Sequence, residues 1–173
     1  NALIKRGITR PQQLVVQGGS AAGIVLGALY NRCPELITSI IAEVPFVDVL
    51  RTMSRPELPL TIGEYEEWGN PEEPEAHWRI RHYSPLDNLN PQQHQQPQQQ
   101  PFLWIEAGLN DPRVQYWEPT KWAWRLKASN VANVYLRTRM DSGHGGGSGR
   151  DQSYRETAEV LSVALNILGK SDH

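Results

Sequence analysis

Three residue types that could cooperate in nucleophilic catalysis occur in this 173-residue sequence in the order serine, aspartate, histidine. Ser20 lies in LVVQGGSAAG (residues 14–23), where a short apolar strand runs into small residues before an apolar helix. Gly18, Ser20 and Ala22 fit the pattern Gly-x-Ser-x-small, in which the serine occupies a sharp strand-to-helix turn and large neighbours would clash. The pattern predicts that the Ser20 hydroxyl is exposed as a nucleophile.

The helix after Ser20 would direct its free N–H groups and the positive end of its dipole at the same point. The Ala21 N–H is therefore the predicted donor to an oxyanion formed beside Ser20. Because Gly-Gly-Ser also occurs in ordinary turns, the prediction depends on a base and an orienting acid elsewhere in the chain.

The predicted base is His144, which follows a predicted strand in the glycine-rich stretch DSGHGGGSGR (141–150). A histidine in such a loop is poorly explained by core packing and well explained by general base catalysis. Asp111 follows another predicted strand and could hold the imidazole in its reactive tautomer, with Asp141 as the alternative. The order Ser20, Asp111, His144 is that of α/β-hydrolases and predicts a serine hydrolase. The remaining histidines are predicted to be solvated: His77, His82, His94 and His173.

The elements that must position these residues alternate between strand and helix. Strands are predicted over 14–16, 36–44, 102–107 and 133–139, and helices over 21–32, 47–53, 76–83, 116–129 and 154–168. In the last helix, Leu161, Ala164, Leu165 and Leu168 are predicted to share the buried face. The alternation predicts an α/β fold with a parallel sheet covered by helices on both faces.

Two segments are predicted to be surface loops. Residues 55–75 are rich in proline and acidic residues. Residues 91–101 form a glutamine-rich tract that is too polar for a packed core. Residues 1–173 are otherwise expected to form a single catalytic domain.

The composition, with 39% hydrophobic and 21% charged residues, is that of a globular protein. A net charge of −2 provides no basic field for nucleic acid or an anionic membrane, and no apolar run approaches the roughly 20 residues of a membrane span. The single cysteine excludes an internal disulfide and favours the cytoplasm. Neither a P-loop nor a pattern of metal ligands is present, so no cofactor or metal is predicted.

Five segments together resemble the catalytic part of the oligopeptidase B branch of the prolyl oligopeptidase family of serine peptidases. They are GGSAAG (18–23), AEVPFVDVLRTM (42–53), LPLTIGEYEEWGNP (58–71), AGLNDPRVQYWEPTKW (107–122) and DSGHGGGSGR (141–150). The sequence departs from the family pattern at Ala22, where glycine is usual, at Gly147, where lysine is usual, and in the added glutamine tract.

The resemblance implies the C-terminal portion of an α/β-hydrolase fold that cleaves short peptides after arginine or lysine, with Ser20, Asp111 and His144 as its triad. It also implies that Glu64 and Glu66 hold the basic side chain of the substrate. In the family a β-propeller, the first strands of the sheet and a tyrosine oxyanion donor are encoded upstream, and these are expected before residue 1. The alternatives are an esterase or acylaminoacyl-type hydrolase on the same triad, and an inactive chain that serves as an interaction module.

Overall fold

A computed structural model describes residues 2–89, 100–131, 133–147 and 149–169. The strands are β1 (Val15–Gly19), β2 (Ser39–Glu43), β3 (Phe102–Gly108) and β4 (Val134–Arg139). The helices are α1 (Ala2–Lys5), α2 (Ala22–Arg32), α3 (Val49–Met53), α4 (Tyr65–Trp68), α5 (Pro74–Tyr83), α6 (Trp117–Ala128) and α7 (Arg150–Ile167). Short 3₁₀ helices span Pro34–Leu36, Ile62–Glu64 and Pro85–Asn88.

The four strands form one parallel sheet in the order β1, β2, β3, β4. The register pairs Gly19 with Glu43 and Glu43 with Glu106, so the carboxyl ends of the first three strands lie side by side. Ligands of open parallel sheets bind beyond this edge, because the loops after all the strands meet there. The predicted parallel α/β architecture is confirmed, and its loops bring Ser20, Asp111 and His144 to one edge.

One face of the sheet packs against α2 and α6. Trp122 of α6 is fully buried and meets the ring of Tyr30 of α2 edge to face, with ring centroids 6.4 Å apart. The inward side chains of the central strands complete this core: Ile40, Ala42, Leu103 and Ile105. The core thereby fixes the helix that begins directly behind Ser20.

The other face carries α7, whose orientation differs from the sequence prediction. The helix begins at Arg150 and its buried residue is Val160. Of the four residues predicted to be buried, Leu161 and Leu165 are exposed, and Ala164 and Leu168 are only partly buried. Two apolar stripes run along α7, and the pattern alone does not identify which one meets the sheet. The stripe that turns inward continues through Glu156, one helical turn before Val160.

Several boundaries also differ from the prediction. The second strand begins at Ser39 because the chain before it forms the 3₁₀ turn Pro34–Leu36. Residues 62–68, expected within a loop, are helical through Ile62–Glu64 and α4. The predicted glutamine loop lies outside the described residues except for positions 100 and 101. No helix in the described ranges is both long enough and apolar enough to cross a bilayer.

A buried carboxylate anchors the segment between β2 and α3. Glu118 of α6 is fully buried and accepts hydrogen bonds from the Val47 and Asp48 N–H groups and from the Thr52 hydroxyl. Burial is the largest cause that raises its pKa, to about 7, and the nearby Asp48 acts in the same direction. Glu118 therefore takes up its proton more readily in the folded chain than in the unfolded chain.

The free energy of unfolding should fall as the pH rises from about 4.5 to about 7. Over this range the unfolded chain has already released the Glu118 proton, whereas the folded chain still holds it. Replacing Glu118 by glutamine keeps an oxygen for the two N–H groups and removes this dependence. Relative to Glu118→Gln, the free energy of unfolding of the wild type should fall by up to roughly 3 kcal/mol between these pH values. Urea unfolding at both pH values measures the difference, and the exposed Glu72→Gln is the control. An identical pH dependence in wild type and Glu118→Gln would contradict the assignment.

Candidate active site

Ser20 occupies a tight turn between β1 and α2. Its φ of 53° lies in the left-handed region, which costs a non-glycine residue of order 1–3 kcal/mol and is concentrated at functional sites. The turn leaves no room for side chains nearby, since a Cβ on Gly23 would lie 2.6 Å from the Phe46 nitrogen and one on Gly19 would lie 3.0 Å from the Glu43 carbonyl oxygen. The small residues around Ser20 are thus a steric requirement of the turn.

Backbone hydrogen bonds hold the turn against the end of β2. The Ser20 N–H donates to the Glu43 carbonyl at 3.0 Å, and the Ser20 carbonyl accepts from the N–H groups of Gly23 and Phe46 at 2.8 and 2.9 Å. Ala21 precedes the first turn of α2, and among the described residues no backbone carbonyl accepts its N–H. This N–H is therefore free to bind an acceptor beside Ser20.

His144 and Asp111 form a direct pair. His144 Nδ1 lies 2.8 Å from Asp111 Oδ2, with the aspartate side chain fully buried and the histidine side chain 18% exposed. Asp111 Oδ1 accepts the Arg113 and Val114 N–H groups at 2.8 and 3.0 Å, which fixes the carboxylate. A carboxylate only accepts hydrogen bonds, so Nδ1 carries the proton and the lone pair remains on Nε2.

The structure separates the two candidate orienting acids. Asp111 accepts a hydrogen bond from the imidazole. Asp141 is exposed and accepts a long hydrogen bond from the Ser142 hydroxyl, at 3.5 Å. Of the other histidines, His77 and His82 lie on α5 away from this pair, and positions 94 and 173 fall outside the described residues.

Ser20 and His144 line the same crevice, which has a volume of about 290 Å³ and runs along the carboxyl ends of the strands. Among the described residues no hydrogen bond joins the Ser20 hydroxyl to the imidazole. In serine hydrolases without substrate this contact is often long and tightens when substrate binds. The geometry therefore brings a nucleophile, a base and an orienting acid to one edge of the sheet.

A second pocket opens on the other side of Ser20, toward α3 and α4. Its walls are largely apolar and include Phe46, Met53 and Trp68. The ring centroids of Phe46 and Trp68 lie 5.8 Å apart. Glu64 lies at this pocket, where its carboxylate accepts the Trp68 indole N–H at 2.9 Å. The pocket combines apolar walls with a carboxylate, which suits a long cationic side chain.

The structure does not bring Glu66 to this pocket. Glu66 and Glu67 are both exposed, but Glu67 lines the pocket and Glu66 does not. The reason is local: residues 62–68 are helical, and residues three apart in a helix share a face. Glu64 and Glu67 therefore face the same way, and helical periodicity through this segment is the signal that would have found Glu67.

Arg113 also lines the pocket beside Ser20, a position that no pattern in the sequence predicts. Its N–H bonds to Asp111, so the Asp-Pro-Arg turn that fixes the orienting acid also places a cation at the pocket. In the described ranges no group of three or more His, Cys, Asp or Glu side chains is arranged to hold a metal ion.

Comparison with known proteins places the chain among serine peptidases of one family. The prolyl oligopeptidase family matches residues 1–171. Dipeptidyl aminopeptidase BI of Pseudoxanthomonas mexicana is 45% identical over 169 residues, which are 96% of this chain and 22% of that protein. Protease 2 of Moraxella lacunata is 40% identical over 96% of this chain and 24% of its own length.

The solved structures agree. Oligopeptidase B from Trypanosoma brucei with covalently bound antipain matches with a TM-score of 0.83 at 40% identity, over 97% of this chain and 23% of its own. Oligopeptidase B from Leishmania major matches with a TM-score of 0.84 at 36% identity, over 98% of this chain and 23% of its own. These matches confirm the predicted α/β-hydrolase fold, and the chain spans about a quarter of the length of these proteins. The chain belongs to the prolyl oligopeptidase family.

Proposed function

We propose that this chain carries the catalytic residues of a serine oligopeptidase that cleaves short peptides after arginine or lysine in the cytoplasm. The observation that carries the proposal is the hydrogen-bonded Asp111–His144 pair, whose imidazole lines the same crevice as a serine on a strained turn. The family membership supports the serine peptidase chemistry, and the carboxylates of Glu64 and Glu67 at the pocket beside Ser20 support the basic specificity.

The proposed reaction uses each group in turn. Ser20 Oγ attacks the scissile carbonyl carbon while His144 Nε2 takes the hydroxyl proton, and Asp111 holds the protonated ring. The carbonyl oxygen becomes an oxyanion that accepts the Ala21 N–H at the start of α2. When the C–N bond breaks, the ring gives its proton to the leaving amine, and water then hydrolyses the acyl-enzyme with His144 as the base.

Specificity is proposed to arise from the pocket between Ser20 and α4. The apolar walls would pack the stem of an arginine or lysine, and the carboxylates would accept hydrogen bonds from its charged head. Glu64 is the first of these carboxylates. The resemblance implies Glu66 as the second, while the helical geometry favours Glu67.

Replacing Glu64 by glutamine should lower kcat/KM for an arginine amide by roughly 10- to 150-fold, because a charged hydrogen bond contributes about 1.5–3 kcal/mol. Glutamine can still accept the Trp68 N–H, so the pocket wall should persist. Hydrolysis of a small neutral ester should change little, since the triad is untouched. Steady-state kinetics gives kcat/KM for the arginine amide and for the neutral ester, and the two changes are compared.

The adjacent glutamates provide matched variants on the same helix. Glu67→Gln should lower kcat/KM for the arginine amide, and Glu66→Gln, outside the pocket lining, should leave it within about threefold. The reverse ranking would assign Glu66 as the second carboxylate. Equal losses on the arginine and neutral substrates would show that the segment supports folding rather than recognition.

A second candidate function is an esterase or acylaminoacyl-type hydrolase on the same three residues. The observation that favours it is the predominance of apolar side chains around the pocket, including Phe46, Met53 and Val114, which would equally accept a neutral acyl group. A kcat/KM that is higher for a neutral acyl ester than for the matching arginine ester would support this candidate.

A further inference from the structure

A largely buried ion cluster lines the same crevice as Ser20 and His144, where α7 meets the sheet. Arg139, the last residue of β4, has a side chain only 8% exposed. Its guanidinium forms a fork with Glu106 of β3, at distances of 2.9 to 3.1 Å, and donates through Nη1 to Glu156 of α7 at 2.7 Å. Glu159 of α7 lies further away, at 3.6 Å. Arg139 therefore joins two strands and a helix through forked, charge-assisted hydrogen bonds.

The same Glu156 carboxylate holds the loop that carries His144. It accepts the Gly147 N–H at 3.1 Å and the Gln152 side-chain amide at 3.0 Å. The loop backbone approaches so closely that a Cβ on Gly146 would lie 2.5 Å from Glu156 Oε2, and one on Gly147 would lie 3.0 Å from Oε1. The glycines at these positions therefore allow the backbone to rest on the carboxylate.

His144 lies within the turn that this contact closes. Gly143 and Gly146 form an isolated antiparallel bridge around it. On the side before His144, the Asn110 N–H donates to the Ser142 carbonyl at 3.1 Å, which ties the loop to the residue preceding Asp111. On the side after His144, the contact from Gly147 to Glu156 ties it to α7. The segment that carries His144 is therefore held on both sides, by Asn110 before the histidine and by Glu156 after it.

We infer that Glu156, held in place by Arg139 and Glu106, is a positioning residue that fixes the His144 loop, so that the imidazole faces Ser20 while bonded to Asp111. This inference rests on the proposed triad. Without the anchor the loop would lose its fixed distance from Ser20, and a displacement of about 1 Å at a reacting group can cost about 100-fold in rate. A cluster that merely docked α7 on the sheet would not act on the imidazole.

Two readouts on the 173-residue chain separate these roles. The first is the rate at which a fluorophosphonate probe labels the chain, which depends on activation of the serine. The second is the proton resonance of His144 Nδ1–H, assigned by its loss in His144→Gln, which reports the bond to Asp111 without any reaction. If the chain does not react with the probe, the proposed function fails, while the resonance still tests the position of the imidazole.

Glu156→Ala should lower the labelling rate by roughly 10- to 100-fold and broaden or remove the His144 resonance. Glu156→Gln retains an oxygen for the Gly147 N–H and should recover part of the rate. The control is Arg137→Gln, which breaks the exposed ion pair between β4 and Glu159 of α7 and should leave both readouts unchanged. Circular dichroism tests whether each variant is folded.

A Glu156→Ala chain that labels within twofold of the wild-type rate and keeps the His144 resonance would overturn the inference. Equal losses in Arg137→Gln would also overturn it, because docking of α7 would then be the cause. If Glu156→Ala does not fold, Arg139→Lys replaces it, since lysine keeps the charge but cannot form the fork. A reduced labelling rate in that variant supports the positioning role, and an unchanged rate contradicts it.

Discussion

Replacing Ser20 by alanine is expected to lower the hydrolysis of an arginine ester by roughly 10⁴-fold or more, because no acyl-enzyme can then form. Alanine fits a turn that already excludes larger side chains, and the backbone bonds of Ser20 to Glu43, Gly23 and Phe46 do not use the hydroxyl. The loss should therefore appear in kcat with the fold preserved. Steady-state kinetics and circular dichroism on the same preparation measure both.

Ser39 provides a matched control for this substitution. Ser39 is buried at the start of β2, at the opposite end of the strands from the crevice. Ser39→Ala should retain the wild-type rate within a few-fold. A Ser20→Ala chain that hydrolyses the ester at the wild-type rate would place the nucleophile elsewhere.

The second large effect is expected at Asp111. In Asp111→Asn the amide oxygen can still accept the Arg113 and Val114 N–H groups, so the turn should persist. The amide nitrogen would then face His144 Nδ1, and its N–H would favour the tautomer that carries the proton on Nε2, where a base is needed. The expected loss in kcat is about 10⁴-fold.

Asp141→Asn is the control for Asp111→Asn. Asp141 is exposed and three residues before His144, so its neutralisation should change kcat by no more than about threefold. Measuring kcat for both variants on one neutral ester avoids any effect on the acidic pocket. A larger loss in Asp141→Asn than in Asp111→Asn would reverse the assignment of the orienting acid.

The sequence was informative where one residue type has a single structural explanation. The small residues around Ser20 are required by a turn in which a Cβ on Gly23 would meet Phe46, and this local constraint is visible in the sequence. The alternation of strands and helices likewise predicted the parallel sheet, because each strand carries enough buried apolar residues to be recognised. The end of each strand then predicted where Asp111 and His144 would lie.

The sequence was less informative where the partner is distant or the local conformation is ambiguous. The proline-rich segment 55–75 was expected to be a loop, so the helical spacing that places Glu67 rather than Glu66 at the pocket was not visible. On α7, two apolar stripes compete, and only packing selects the one containing Val160. The cluster around Arg139 depends on Glu106 and Glu156, which are 33 and 17 positions away in the chain.

The most direct test of the catalytic assignment is to identify the residue that a fluorophosphonate modifies. The probe forms a stable bond with a serine that an adjacent base has activated, so it requires no knowledge of the natural substrate. Digestion of the labelled 173-residue chain and mass spectrometry of its peptides locate the adduct. We expect one adduct, on Ser20, which is lost in His144→Gln. An adduct on another serine, or a chain that remains unlabelled while folded, would contradict the account.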